Sequence, residues 1–279
     1  MRRVGGHVSA SGGIKNAVKN TLAIGGNCMQ IFAGSPRMWA RKLYEPKVAE
    51  EFNSLIAEHD LAPVYIHALY LTNLASDNPE LLEKSKQALI TDMTNSAAIG
   101  SAGVVLHIGS HQGRGWEASR ELVIDQINQV LDSTPPDSIL LLENSAGQKG
   151  KIGSLLELGE ILEAIQTPRL QICLDTAHAY EAGSDLATAQ GLEKWVTEIE
   201  DHIGLDKLNV IHLNDSKTEL GSGRDNHENI GEGHIGEEGL ARLINHPKLR
   251  SYPLILEVPG TDKSGPDTAN IDRVRSLLK

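Results

Sequence analysis

Eight short, almost wholly apolar runs, each followed by a turn and then by a stretch with helical spacing, predict an α/β chain closed into a (β/α)8 barrel of the TIM type. Two further observations favour that closure. Eight such units in 279 residues take about 35 residues each, the size of a barrel repeat. The glycine fingerprint that opens most doubly wound sheets is missing: "GGNCMQIFAG" (25–34) is not G-x-G-x-x-G, and no Walker-type G-K-[ST] occurs.

The runs are "VGGHVSA" (4–10), "CMQIFAG" (28–34), "PVYIHA" (63–68), "VVLHIGS" (104–110), "ILLLENS" (139–145), "QICLDTAH" (171–178), "NVIHLND" (209–215) and "PLILEVPG" (253–260). Near-continuous aliphatic and β-branched content is expected of strands covered on both faces. Between them, 79–100 begins with a proline, repeats its apolar residues at i, i+3 and i+4, and stops at a glycine. Segments 116–133 and 154–165 share that spacing. No repeat, low-complexity tract or linker interrupts the series, so residues 1–279 are expected to form one domain.

Composition narrows the class. Hydrophobic residues make up 40% of the chain and charged ones 23%, ordinary for a globular protein. Aromatics are only 4%, so the core should be aliphatic. The start carries no apolar signal-like run and no segment is apolar for long enough to span a bilayer, which predicts a cytoplasmic protein. Cys28 and Cys173 each sit inside a strand-like run and are expected to be buried thiols. A net charge of −11 argues against a general nucleic-acid coat protein, but leaves room for a local basic rim and for carboxylates that bind cations.

The chemistry is positional. Near the C-terminal end of six of the eight runs stands a metal-competent residue: His67, His107, Glu143, Asp175, His212 and Glu257. Their spacings of 32 to 45 residues follow the strand–helix units, so a barrel would bring them to one rim, where barrel active sites lie. His178 follows Asp175 closely, and Asp225 and His227 lie in the loop after His212. Taken singly, each is read most simply as a hydrogen-bonded histidine or a paired carboxylate. Together they place several charges at the ends of apolar strands with few cationic partners, and bound metal compensates that best. His7 falls on the same rim and is expected to support the ligands. His59, His202 and His246 read as surface residues, while His111 and His234 sit in rim loops without an assignment. Arg37 and Trp39, in "SPRMWARK", are either a solvated loop or a basic, aromatic wedge toward nucleic acid.

Several stretches in order give the chain a specific likeness: "GGHVSASGG", "HALYLTNLAS" (67–76), "LHIGSH" (106–111), "ENSAGQ" (143–148), "CLDTAHAYEAG" (173–183), "HLNDSKTELGSGRDNHENIGEG" (212–233) and "LILEVPG" (254–260). Over essentially its whole length the chain resembles the endonuclease IV family of apurinic/apyrimidinic endonucleases. The resemblance implies a barrel holding three Zn2+ ions, with Mn2+ an alternative at some sites. His67, His107 and Glu143 would hold one ion. Glu143 would bridge to a second, completed by Asp175, His212 and Glu257, and would act as the catalytic carboxylate. His178, Asp225 and His227 would hold the third. The implied reaction is cleavage 5′ to an abasic site in duplex DNA, leaving a 3′-hydroxyl and a 5′-deoxyribose phosphate, with trimming of blocked 3′ ends as a second activity. Arg37 and Tyr70 match positions that enter the DNA beside the lesion, and a monomer is the default assembly.

Two departures leave every implied ligand in place: Ala177 stands where the family commonly has Cys, and Asn226 where Arg is usual. Arg37, Arg41, Lys42, Lys149, Lys151, Lys217 and Arg224 fall in expected rim loops, where they would meet phosphates. The rival enzyme is a sugar isomerase or epimerase of the xylose-isomerase-like barrels, which needs one or two metals and has no use for His178 with Asp225 and His227. A non-enzymatic metal- or DNA-binding protein is the other alternative, and the intact ligand set counts against it.

Overall fold

A computed structural model describes residues 2–279. Eight strands are all parallel and close on themselves: β1 (Val4–His7), β2 (Met29–Phe32), β3 (Val64–His67), β4 (Gly103–Leu106), β5 (Leu140–Glu143), β6 (Leu170–Asp175), β7 (Leu208–His212) and, as the eighth barrel strand, β10 (Leu254–Leu256). The two short strands between β7 and β10, β8 (Asp215–Ser216) and β9 (His227–Glu228), form a separate antiparallel pair at the rim. The (β/α)8 barrel expected from the apolar runs is the fold observed.

Strand alternation divides the core into two. Cys28, Tyr65, Val105, Leu141, Cys173, Val210 and Ile255 form one small buried cluster, one residue from each of seven staves. Their sequence neighbours, such as Ile66, Val104, Leu142, Leu174, Ile211 and Leu256, belong to the large cluster shared with the surrounding helices. The first set therefore fills the barrel and the second its outer wall. On the eighth stave the inward position is Gly5, where a Cβ would lie 1.8 Å from the carbonyl oxygen of Cys28. Backbone replaces side chain there, which is why β1 carries glycine.

The helices start where their sequences direct. In α3 (Pro79–Ala98), Asn78 caps the amides of Glu80 and Leu81, with proline at the first helical position. In α5 (Leu155–Ile165), Ser154 and Glu157 form a capping box. α4 (Arg120–Asp132) begins four residues later than the expected 116, because 116–119 closes into a tighter turn through the Ser119 N–H to Trp116 O bond. The largest departure is at 171–178. β6 stops at Asp175, whose carboxylate accepts the His178 N–H at 2.9 Å and caps the short α6 (Thr176–Glu181), so His178 stands on a helix rather than at a strand end. No helix among the described residues is long and apolar enough to cross a membrane.

Filling the Gly5 position is expected to be expensive. Gly5→Ala should destabilise the protein by at least about 3 kcal/mol, since the obstructing atom is backbone and cannot swing aside. A melting temperature within a degree or two of the parent would refute this account of β1.

Candidate metal centre

The residue two positions beyond each interior apolar residue points to the same side, at the barrel's mouth. That rule yields Gln30, His67, His107, Glu143, Asp175, His212 and Glu257, with His7 on the Gly5 stave. All six ligand candidates at strand ends come together, and Glu143, Asp175 and His212 are wholly buried. His178 enters from α6, while Asp225 and His227 reach in from the loop after β7.

Three donor groups result. His67 Nε2 and His107 Nε2 lie 3.4 and 3.3 Å from Glu143 Oε2. On the other oxygen of the same carboxylate, His212 Nδ1 lies 3.1 Å from Glu143 Oε1, 3.2 Å from Glu257 Oε2 and 3.9 Å from Asp175 Oδ2. Glu143 thus faces two groups at once. In the third, Asp225 Oδ1 lies 3.3 Å from His178 Nε2 and 3.6 Å from His227 Nε2, and Asp175 Oδ2 is also 3.6 Å from His227 Nε2. Each of the three could hold a cation; in the third the convergent donors are Asp175, His178 and His227, with Asp225 beside both imidazoles, so Asp175 stands between the second and third.

Several donors are aimed in advance. His67 Nδ1 donates to Ala68 O at 2.7 Å and His178 Nδ1 to Asn144 O at 3.0 Å, leaving Nε2 of each with its lone pair toward the cluster. Glu143 Oε2, His178 Nε2 and His227 Nε2 are buried and have no hydrogen-bond partner. Orphaned buried acceptors of this kind are costly, and divalent cations in the first and third donor groups would satisfy them. Mixed imidazole and carboxylate donors suit zinc and, at the carboxylate-rich positions, manganese.

The electrostatics carry the same message. Burial alone would raise the Glu143 carboxyl, but the His107 and His212 imidazoles overcome it and hold the group well below the carboxylate range. Glu257 is likewise held well below, its burial outweighed by His212 and His7. Burial opposes charge on His178 and His212, yet carboxylates around His178, and Cys173 with Glu257 and Glu143 around His212, push both well above their ordinary value. Burial takes His107 down to about 4. Protons on His178 and His212 stand where metal charge would otherwise compensate the carboxylates.

The loop bearing Asp225 and His227 is braced by two buried acids that the sequence did not single out. Asp215 accepts N–H groups from Ser216, Gly231, Gly233, Ile235 and Gly236. Glu181 Oε1 accepts Ser216 Oγ, Thr218 Oγ1 and the backbone N–H of Asn226. Asn144 exchanges two hydrogen bonds with the Asp175 backbone, and Asn214 holds Asp175 Oδ2 at 2.6 Å while accepting the Glu257 N–H. These amides directly follow Glu143 and lie two residues past His212, a proximity that offered a signal. His7 supports Glu257 through a 2.8 Å contact to Oε1, as expected.

Above the cluster opens a cavity of about 520 Å³ lined by imidazoles, Phe32, Tyr70, Asn226 and Pro266. Tyr70 is 61% exposed and packs edge-on against Phe32, with ring centres 5.2 Å apart. Arg37 is exposed on the loop after β2. Arg41 departs from its expected place among the phosphate-facing cations. Its side chain is 3% exposed and pairs with Asp92 of α3 at 3.4 Å, so it anchors the loop from beneath. Burial, only partly offset by Arg41, raises that aspartate to about 7. Lys42, Lys149, Lys151, Lys217 and Arg224 are exposed, although Lys217 faces Glu228 at 3.5 Å.

Residues 18–279 match the family model described as a xylose isomerase-like TIM barrel. A protein named probable endonuclease 4 from Methanoculleus marisnigri is 43% identical over 99% of both chains. One of the same name from Halothermothrix orenii is 41% identical over 94% of this chain and 96% of its own. The crystal structure of endonuclease IV from Thermus thermophilus superposes with a TM-score of 0.87 at 36% identity, covering 99% of this chain and 98% of its own. An L-ribulose 3-epimerase superposes with a TM-score of 0.71 at 15% identity over 99% of this chain and 93% of its own, a likeness of fold alone.

Metal loading should be tied to protons. His178 and His212 are pushed well above their ordinary value by the groups around them, which favours their protonated forms in the metal-free protein, and each must be deprotonated to become a ligand. Loading should therefore release protons, and affinity should fall as pH is lowered. The metal-free fold should, conversely, lose the contribution of these imidazoles as pH rises through their raised values. Titration calorimetry of Zn2+ binding at pH 7 in two buffers of different ionisation enthalpy gives the count, and no net release would contradict this charge arrangement.

Proposed function

The chain belongs to the endonuclease 4 family, and from that premise we propose that it is a metal-dependent DNA-repair endonuclease that hydrolyses the phosphodiester bond 5′ to abasic sites in duplex DNA. The products would be a 3′-hydroxyl and a 5′-deoxyribose phosphate, and removal of blocking groups from 3′ ends is the second activity of the same site. The observation that carries this reading is the convergence of nine metal-competent side chains, several buried with unpartnered atoms, beneath one open cavity.

His67, His107 and Glu143 are assigned to one Zn2+, Glu143, Asp175, His212 and Glu257 to a second, and His178, Asp225 and His227 to a third. Divalent cations so held would neutralise the phosphate, acidify a water and stabilise the departing oxygen. What the chain itself contributes is placement. Glu143 turns one oxygen to each of two donor groups and is the catalytic carboxylate. Asp225, at the cavity wall and held by His178 down to about 2 against the effect of its burial, remains an anion throughout the working pH range. A cavity of about 520 Å³ over an imidazole floor would admit an extruded sugar phosphate rather than a stacked base pair. Tyr70 and Arg37, exposed at its edge, would enter the duplex beside the lesion, and the exposed lysines would take phosphates.

The overall charge of −11 does not oppose DNA binding, because four of the negative charges are proposed ligand carboxylates that bound divalent cations would more than offset. The enzyme is proposed to act as a monomer in the cytoplasm. The third donor group also separates this reading from sugar isomerisation, which would leave Asp225, His178 and His227 without a task.

A duplex carrying one tetrahydrofuran abasic analogue tests the proposal. The metal-loaded protein should incise it 5′ to the analogue, chelator should stop incision, and Zn2+ or Mn2+ should restore it. Glu143→Gln should lower the rate by more than about 100-fold while the melting curve stays cooperative. Absence of chelator-sensitive incision would remove the assignment, and a near-normal rate for Glu143→Gln would remove the role given to that carboxylate.

A further inference from the structure

Gln30 occupies the ring of ligands without being one. It lies on β2, is fully buried, and stands two residues beyond Cys28 of the barrel interior, in register with His7 on the neighbouring stave. Neither a titratable group nor a ligand, it nevertheless uses both ends of its amide on ligands of one donor group. Its Oε1 lies 2.9 Å from His212 Nε2, and its Nε2 donates to Glu257 Oε1 at 2.7 Å.

Each bond settles the neighbour's orientation. A carbonyl oxygen only accepts, so His212 Nε2 must carry the hydrogen, and the lone pair of a neutral imidazole is then on Nδ1. Nδ1 is the atom that faces Glu143 Oε1, Glu257 Oε2 and Asp175 Oδ2. Glu257 Oε1 is taken by Gln30 and by His7 at 2.8 Å, which leaves Oε2 as the oxygen turned to the cluster. The other donor groups are oriented without it: His67 and His178 use the backbone oxygens of Ala68 and Asn144.

We infer that Gln30 is a positioning residue of the metal centre: its side-chain amide turns His212 Nδ1 and Glu257 Oε2 toward a single cation site and sets the affinity of that site separately from the other two. The inference rests on reading the cluster as a metal centre. It differs from a packing role, because an apolar side chain of equal volume would fill the space and leave His212 Nε2 without its acceptor and Glu257 Oε1 held by His7 alone.

Gln30→Met has nearly the same volume and can make neither bond; Gln30→Glu keeps the acceptor for His212 and sets a carboxylate against Glu257. The readout is the number of Zn2+ per chain retained after equilibration against a graded series of chelator concentrations, measured by elemental analysis alongside the melting curve. Gln30→Met should release one equivalent at chelator concentrations about 10- to 100-fold lower than the parent, the remaining equivalents leaving where they do in the parent. Should Gln30→Met melt without cooperativity, Gln30→Glu carries the test and must also release one equivalent early. A folded variant that keeps every equivalent to the parent's chelator concentrations overturns the inference and leaves the metal centre standing. A parent protein that takes up no Zn2+ removes the metal centre itself, and this inference with it.

Discussion

The structure depends on the two-residue alternation of eight parallel strands. Once Cys28, Tyr65, Val105, Leu141, Cys173, Val210 and Ile255 are committed to the barrel interior, the residues two further on must face the mouth. A one-residue slip of any stave would send its residue at the mouth into the helical layer and bring its sequence neighbour into the site. The packing of the interior layer is thus also the alignment of the donors. Gly5 belongs to the same constraint: β1 can approach Cys28 only without a side chain, and that approach sets His7 beside Glu257.

Alignment creates an electrostatic cost that the fold does not relieve alone. Four of the carboxylates at the mouth stand close to imidazoles rather than to lysine or arginine. In the metal-free state protons on His178 and His212 supply the missing positive charge, and burial works against them. Several donors still keep unpartnered atoms. A cluster so arranged is more stable with cations than with protons, because one divalent ion satisfies several acceptors at once. The hydrogen bonds that imidazoles donate to the oxygens of Ala68, Asn144 and Gln30, and that Asn214 donates to Asp175, reduce the reorganisation needed when it binds.

Much of this was legible in the chain itself. The barrel followed from eight apolar runs at regular spacing, and the ligand candidates at strand ends from their common place in those runs. Strand ends were less legible: "QICLDTAH" reads as one apolar stretch, but the Asp175 cap converts its last residues into helix, a local competition that hydrophobicity does not register. Arg41 was misplaced for a related reason. A cation in a loop looks solvated until the fold brings the buried Asp92 beneath it, and that partner lies on a helix far along the chain. Gln30, Asn144, Asn214 and Glu181 act through hydrogen bonds to groups distant in sequence, so beyond the closeness of the two asparagines to Glu143 and His212 their residue types announce little without the fold; Asp215 gathers amides of its own loop, which only the folded turn brings around it.

The loop after β7 shows how such partners divide labour within one segment. Glu181 fixes residue 226 through its backbone N–H, and Lys217 N–H holds its carbonyl. Both bonds are indifferent to the side chain. Asp225 and His227, on either side, are therefore placed by backbone geometry that an Asn and an Arg at 226 can share. The side chain of Asn226, by contrast, lines the cavity. A short, neutral amide at 226, where the family that the sequence resembles usually has arginine, leaves the flanking backbone where it is and presents no fixed charge to the cavity. Placement of Asp225 and His227 by the backbone, and the side chain that residue 226 presents to the cavity, are separable in this loop.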